Sequence, residues 1–499
     1  MSHTNIKTFG ELKASGYSSK SVKQELRDNL IESLKSGGNV FDQIWGYEET
    51  VIPDIERAIL SQHDINLLGL RGQAKTRIAR TMVQLLDEYM PIIAGSELHD
   101  DPFSPLSRYG RDEIAEKGDS TPIEWVHREE RYNEKLATPD VSIADLIGDV
   151  DPIKAATLKL PYSDDRVIHF GLIPRSHRGI FVINELPDLQ ARIQVALFNI
   201  LQEGDIQIRG FKVRMPLDIQ FVFTANPEDY TNRGSIVTPL KDRIGSQIIT
   251  HYPKDIETSK KITHQEADIK KDQNSRVQVN EIAKDLIEQI AFEARDSEYV
   301  DAKSGVSARL TISAYENLIS GAERRSLKND EETHVRVADF YGVVPSVTGK
   351  VELVYEGEQE GPGIVAHNLV GKAIRTQFVQ YFPDPEKTRK QKDTNPYTTI
   401  INWFGNENIV DLLSDYSNQD FEGALKKVPG LDKLVEDYQP KVDQATKLFL
   451  MEFALHGLAE YSMLSKHKLS SGLQFKDLLS SMFTMPGPDE DDNFSEDEN

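Results

Sequence analysis

Apolar positions along the chain follow two different periods. Predominantly apolar runs occur at Ile65-Asn66-Leu67-Leu68, at Gly179-Ile180-Phe181-Val182-Ile183-Asn184 and at Ile219-Gln220-Phe221-Val222-Phe223-Thr224-Ala225. Short, β-branched runs of this kind predict strands buried on both faces, as in a parallel sheet. Elsewhere the spacing changes to three and four. Ile78, Met82, Leu85 and Tyr89 predict a helix over 77–90 that Pro91 ends, and Ile193, Leu197 and Leu201 predict a helix over 189–203. Val22, Leu26, Leu30 and Leu34 predict helix within residues 1–40, stopping at Gly37-Gly38. Ile206-Gln207-Ile208 and Phe211-Lys212-Val213 predict a hairpin turned at Arg209-Gly210. The fold class implied is α/β.

The chemistry sits at the ends of these runs. Gly69-Leu70-Arg71-Gly72-Gln73-Ala74-Lys75-Thr76 follows the first strand and opens a helix. Strand, glycine turn and helix start form the context a phosphate-binding loop requires, with backbone N–H groups pointing inward. Lys75 is placed to reach the β- and γ-phosphates of ATP, and the Thr76 hydroxyl to ligate Mg²⁺. Gly69, Gly72, Gln73 and Ala74 complete the loop. Ala74 stands where a glycine is expected. A left-handed backbone there would cost an alanine about 1 kcal/mol. Asn184 and Glu185 end the second strand at the sheet edge where ligands of open α/β sheets bind. Glu185 is a candidate to orient or deprotonate an attacking water. Asn184 replaces an expected aspartate, and its amide oxygen still accepts a bond from Mg²⁺-bound water. Asn226 ends the third strand, where it could bond a γ-phosphate or the water.

In order and wording these segments resemble the AAA+ ATPases, and within them the magnesium-chelatase ATPase-subunit branch and its MoxR-like relatives. The resemblance runs from about Phe41 to Arg309. It rests on the loop at 69–76, on Gly171-Leu172-Ile173-Pro174-Arg175-Ser176-His177-Arg178-Gly179-Ile180, on Asn226-Pro227-Glu228-Asp229, and on Pro239-Leu240-Lys241-Asp242-Arg243-Ile244-Gly245. It implies a three-layer P-loop domain with a helical lid, ATP and Mg²⁺ as cofactors, and a hexameric ring. By the same resemblance Glu185 is the Walker B glutamate and Asn226 is sensor 1. Arg243 is the finger that reaches a neighbour's γ-phosphate, with Arg233 second, and Arg309 in Gly305-Val306-Ser307-Ala308-Arg309-Leu310 is the sensor-2 arginine. Relatives place adenine contacts on the backbone near Ile44 and Gly46. Thr76 and Asn184 fall to the metal. In the region 147–171 this branch has a pore-facing insertion, where Lys154, Lys159, Tyr162 and Arg166 are candidates for substrate contact.

Composition narrows the setting. At 499 residues the chain can form several domains. Its hydrophobic content is 38%, no apolar run reaches membrane-spanning length, and Met1-Ser2-His3-Thr4-Asn5 lacks a secretory pattern, so a cytoplasmic protein without membrane contact is expected. Zero cysteines exclude disulfides and thiolate metal sites. A net charge of −23 disfavours broad nucleic-acid binding.

The expected organisation is a helical arm at 1–40 and a nucleotide-binding domain at 41–252 with a surface insertion at about 91–145. A lid follows at 253–345, containing a charged helix at 256–285. A mainly helical module at 346–485 contains a short strand at 350–355, a helix at 365–382 and a linker at 383–393, and an acidic tail at 486–499 ends the chain. Three functions compete: a ring-forming remodelling ATPase, an enhancer-binding-type transcription activator, and a nucleotide-binding scaffold with little or no hydrolysis. The activators share Leu201-Gln202-Glu203-Gly204 but present a Gly-Ala-Phe-Thr-Gly-Ala loop absent here. Metal insertion is a subset of the first function. It would need a separate partner with an integrin-type Asp-x-Ser-x-Ser metal-binding domain, because no such motif occurs in this chain.

Overall fold

The computed structural model describes residues 3–161, 164–203, 205–208, 214–227, 235–389, 395–469 and 471–478. The chain divides into two compact units, Met1–Tyr252 and Pro253–Asn499.

The first unit is built on five parallel strands, β1 (Ile65–Leu68), β2 (Tyr132–Leu136), β3 (Gly179–Asn184), β4 (Ile219–Ala225) and β5 (Ser246–Ile249), in the order β5-β1-β4-β3-β2. The side chains of β3 divide by parity. Ile180 and Val182 join Leu26, Ile55 and Ile78 in one apolar layer, while Phe181 and Ile183 join Phe221, Ile193 and Leu197 in the other. Burial on both faces is why these strands read as continuous apolar runs. Register places Ile65 beside Val222 and Phe221 beside Phe181, which brings the C-terminal ends of β1, β3 and β4 together.

Three expectations fail in this unit. The helix read over 77–90 ends early. Lys75–Thr81 is α-helical, Met82–Leu85 is a 3₁₀ turn, and Tyr89–Ile93 is a strand antiparallel to Ile123–His127. Pro91 therefore lies in a two-stranded ribbon, opposite Trp125, and its carbonyl accepts a bond from the buried Arg178 guanidinium. The 91–145 segment is likewise more than a surface insertion, because it supplies β2, an edge strand of the core sheet. Its Tyr-Asn-Glu-Lys-Leu sequence is polar because an edge strand packs a neighbour on one side only, and Leu136 is 50% exposed. Finally, residues 1–40 do not form a separate arm. Helix Val22–Ser36 lays Val22, Leu26 and Leu30 into the core, leaves Leu34 exposed, and carries Glu25 into a buried two-pronged ion pair with Arg131. Asp205–Gln207 pairs antiparallel with Arg214–Pro216, and the turn expected at Arg209-Gly210 and the strand expected at 211–213 lie outside the described residues.

In the second unit the expected boundary at 345 disappears. One apolar cluster runs from Val277 to Phe475 and includes Leu286, Leu318, Leu369, Phe378 and Leu450, so lid and C-terminal module share a core. Its long helices are Glu281–Arg295, Arg309–Asn329, Pro362–Tyr381 and Gln444–Glu460. The charged helix read at 256–285 is broken into Ile256–Glu266 and Lys271–Arg276, followed by strand Val277–Gln278 paired with Thr333–His334. The strand read at 350–355 reduces to a single bridge between Val300 and Leu353, and Tyr355–Glu360 is helical. Within the expected 383–393 linker, Pro385–Thr388 is a short helix. The C-terminal region is mainly helical but carries an antiparallel sheet of Val410–Leu413, Gly472–Lys476 and Ser465–Leu469. The acidic tail lies outside the described residues. Among the described residues no helix is long and apolar enough to cross a membrane, and no His/Asp/Glu group is arranged to hold a metal ion.

Candidate functional site

The loop after β1 is shaped by close packing. Gly69 donates its N–H to the Ala225 carbonyl at 3.1 Å. A Cβ at Gly69 would collide with Thr250 Oγ1 and Gln73 Oε1, so a larger residue would force both side chains to move. Gly72 takes φ +73°, and Ala74 takes φ +56° with ψ +15° at the residue before helix Lys75–Thr81. The left-handed position expected for the missing glycine is therefore real, and the alanine bears its cost.

Lys75 Nζ donates to the Gly69 carbonyl, to the Leu70 carbonyl at 2.8 Å and to Asn226 Oδ1 at 3.1 Å. The ammonium thus lies inside the turn of its own loop and touches the tip of β4. The Thr76 hydroxyl donates to Asn184 Oδ1 at 3.3 Å, joining the loop to the tip of β3. Lys75, Thr76, Asn184 and Asn226 are brought together as the sequence predicts. Glu185 follows Asn184 in a left-handed conformation, φ +55° and ψ +50°, and its N–H donates to Thr224 Oγ1 at 3.1 Å.

Two contributors escaped sequence reasoning. The Thr224 hydroxyl donates to Asn184 Oδ1 at 3.2 Å while accepting from Glu185 N–H, so it holds both residues at the end of β3. The signal available was a lone hydroxyl inside the apolar run Phe221-Val222-Phe223-Thr224-Ala225. Tyr47, 5% exposed, reaches the Gln73 carbonyl at 3.0 Å and the His251 carbonyl at 2.7 Å through its hydroxyl, and burial raises its pKa above that of a free phenol. The Thr250 hydroxyl donates to Gln73 Oε1 at 2.7 Å, and the Tyr252 hydroxyl to the Arg71 carbonyl at 2.9 Å. The conformation of the loop is therefore held from outside it, by contacts that no local pattern encodes.

A family model described as the Sigma-54 interaction domain matches residues 161–246. The magnesium-chelatase 38 kDa subunit of Cereibacter sphaeroides is 27% identical over 143 residues, 27% of this chain and 40% of that protein. The subunit of the same name from Rhodobacter capsulatus is 28% identical over 125 residues, 21% of this chain and 35% of that protein. Over these segments the chain is similar to the Sigma-54 interaction domain and to the magnesium-chelatase 38 kDa subunit. It spans less than half the length of these curated relatives. Among solved structures, the complex between subunits BchI and BchD of magnesium chelatase overlaps it at 18% identity and TM-score 0.34, covering 64% of this chain and 98% of that one. NtrX from Brucella abortus overlaps at 14% identity and TM-score 0.35, covering 58% of this chain and 55% of that one.

The other candidate residues are held by contacts of their own. Arg243 ends helix Thr238–Arg243, and its guanidinium donates to Gln202 Oε1 at 2.8 Å and to the Pro239 carbonyl at 2.7 Å. Arg233 lies outside the described residues. Arg309 is the first residue of helix Arg309–Asn329 in the second unit. Ile44 is buried with its N–H on the Phe41 carbonyl, and Gly46, at φ +82°, donates its N–H to Glu48 Oε1 at 3.1 Å. Both amides are thus engaged within the protein. The 147–171 insertion is a hairpin of Gly148–Val150 with Ile168–Phe170 enclosing helix Pro152–Leu158. In it Lys154 faces Glu97 at 3.6 Å, Arg166 is paired with Asp164 at 2.7 Å, Lys159 caps the helix at φ +54°, and Tyr162 lies outside the described residues.

The residues present suit a nucleotide with Mg²⁺. One ammonium sits among loop carbonyls, and a threonine hydroxyl and an amide oxygen lie within hydrogen-bond reach of each other at the strand edge.

Proposed function

We propose that the chain is an ATP hydrolase that acts as a ring, six subunits by its resemblance, and couples nucleotide turnover to work on a partner protein. The observation that carries this reading is the meeting of Lys75, Thr76, Asn184 and Asn226 at the adjoining ends of β1, β3 and β4. In this reading residues 69–76 bind the phosphates and Lys75 supplies the charge-assisted contact. Thr76 and Asn184 hold the metal and its water. Mg²⁺, when bound, offsets phosphate charge during transfer. Glu185 takes the proton of the attacking water and Asn226 orients that water. Arg243 acts across a subunit interface, where it stabilises charge that develops in the transition state, and Arg309 has the sensor-2 role that the resemblance implies. Ile44 and Gly46 border the base. The neutral Asn184 and the strained Ala74 lower turnover more than nucleotide binding.

The partner is a separate protein, and an integrin-type metal-binding domain is the kind the resemblance implies. The cytoplasm is the proposed setting. The Sigma-54 interaction match favours the activator as the second reading. Against it, the chain contains no Gly-Ala-Phe-Thr-Gly-Ala segment.

The test compares wild type, Lys75→Ala, Glu185→Gln and Arg243→Ala. Lys75→Ala weakens ATP binding about tenfold to a hundredfold. Glu185→Gln and Arg243→Ala keep ATP affinity and lose turnover, and mixing the two restores part of it. Equal ATP affinity in wild type and Lys75→Ala, or a monomer hydrolysing at a concentration-independent specific rate, overturns the reading.

A further inference from the structure

A cavity of about 410 Å³ lies in the first unit. One wall is helix Arg108–Lys117, and the other is helix Pro152–Leu158 with strand Ile168–Phe170. No residue of 69–76 lines it. Its charge opposes that of the chain. Arg108, Arg111, Lys154 and Arg166 line it against a single carboxylate, Glu97, in a protein of net charge −23. A cationic lining in an acidic chain is a local feature and does not follow from composition.

These cations are not all committed to partners. Arg166 is held by Asp164 at 2.7 Å. Arg108 lies 3.6 Å from Asp112 and 3.7 Å from Asp164, and Lys154 lies 3.6 Å from Glu97, contacts long enough to yield to a better acceptor. Among the described residues the Arg111 guanidinium has no ion-pair or hydrogen-bond partner. The floor is apolar, formed by Leu98, Leu106, Phe170 and Met215. Leu158 extends it to the rim, 51% exposed.

We propose that this cavity binds a small organic anion. The apolar body of the ligand rests on Leu98, Leu106, Phe170 and Met215, and its carboxylate, sulfonate or phosphate head lies among Arg108, Arg111 and Lys154. The volume falls in the range of small-molecule sites, about 300–1,000 Å³. An inorganic anion would leave the floor unused, and a neutral apolar molecule would leave the Arg111 guanidinium unpaired. Both halves of the ligand are therefore required. Because the cavity shares no residue with the nucleotide loop, the proposal stands or falls independently of the ATPase reading.

The probe is 1-naphthoate, titrated calorimetrically into the full chain beside acetate and 1-naphthol. Wild type binds 1-naphthoate, and binds acetate and 1-naphthol at least about tenfold more weakly. The Arg111→Ala/Lys154→Ala double variant loses about tenfold or more in 1-naphthoate affinity and keeps its weak affinity for 1-naphthol. Lys75→Ala binds 1-naphthoate as wild type does. The proposal is overturned by absence of 1-naphthoate binding, by equal affinity for 1-naphthol, by an unaffected double variant, or by loss of binding in Lys75→Ala.

Discussion

Lys75 Nζ and Asn226 Oδ1 meet at 3.1 Å, so the loop after β1 and the tip of β4 are joined through one ammonium. The neighbouring acceptors of Lys75 are carbonyls of its own loop. Phosphate oxygens are stronger acceptors than either, because they carry charge. Asn226→Ala is expected to leave ATP affinity within about threefold of wild type while turnover falls about tenfold or more, since its proposed role is to orient the water. Asn226→Asp is expected to weaken ATP binding by about tenfold or more, because a carboxylate beside Lys75 repels phosphate and neutralises the ammonium. Calorimetry with ATP and steady-state phosphate release separate the two. Unchanged ATP affinity in Asn226→Asp would place the phosphates elsewhere.

The conformation of Ala74 yields a stability test with an unusual sign. Alanine to glycine in a helix interior costs about 1 kcal/mol, and Ala79, buried in the same helix, should behave that way. Ala74 sits at φ +56°, where glycine carries no steric cost. Ala74→Gly is therefore expected to be neutral or to stabilise by up to about 0.5 kcal/mol once the added freedom of the unfolded chain is set against the relieved strain. Denaturant unfolding of both variants checks it, and a loss of about 1 kcal/mol in Ala74→Gly would contradict it.

The Glu25–Arg131 pair ties the N-terminal helix to the residue preceding β2, with both side chains under one-tenth exposed. Removing one member strands the other charge in the interior. Arg131→Met is expected to cost about 3–5 kcal/mol. The Glu25→Leu/Arg131→Met double variant should cost less than the two single changes added together. A double-mutant cycle by denaturant melts measures this coupling, and strict additivity would mean the pair is not formed.

Glu452, fully buried in helix Gln444–Glu460, accepts N–H bonds from Val337 and Ala338, yet burial dominates and pushes its pKa up to about 7. From its ordinary value of 4.5 up to about 7, the native state holds a proton that the unfolded chain has released. Stability from this group is therefore fully present below the lower value and lost as pH rises through the upper one. Glu452→Gln should remove this slope, so the stability difference between variant and wild type grows across that window and is level outside it. Unfolding midpoints at a series of pH values test it, and parallel profiles would show that Glu452 does not titrate there.

The loop at 69–76, β3 and β4 were legible because their signals are local. A glycine turn between a strand and a helix, and apolar runs covered on two faces, need no distant partner to be recognised. Tyr132–Leu136 was missed because an edge strand satisfies only one neighbour and can be polar, and Tyr89–Ile93 because its apolar spacing also fits a helix. Thr224 and Tyr47 act through bonds to residues 40 and 26 positions away, which no periodicity reports. The single core of the second unit was hidden for the same reason, since Leu286 and Leu450 join one cluster only once the chain has folded.

The two threonine hydroxyls at the end of β3 have a directional consequence. Thr76 and Thr224 both give their one hydrogen to Asn184 Oδ1. The amide is thereby locked oxygen-first toward both. A hydroxyl that spends its hydrogen inward can only receive on its other side, so Thr76 has lone pairs alone left to offer. The backbone N–H of Glu185 already occupies Thr224 from behind. This short relay thus sets the polarity of Thr76 before anything arrives, and a cation meets an oxygen with no proton to clear away. Serine at position 76 would keep that wiring, and valine, equal in shape, would erase it.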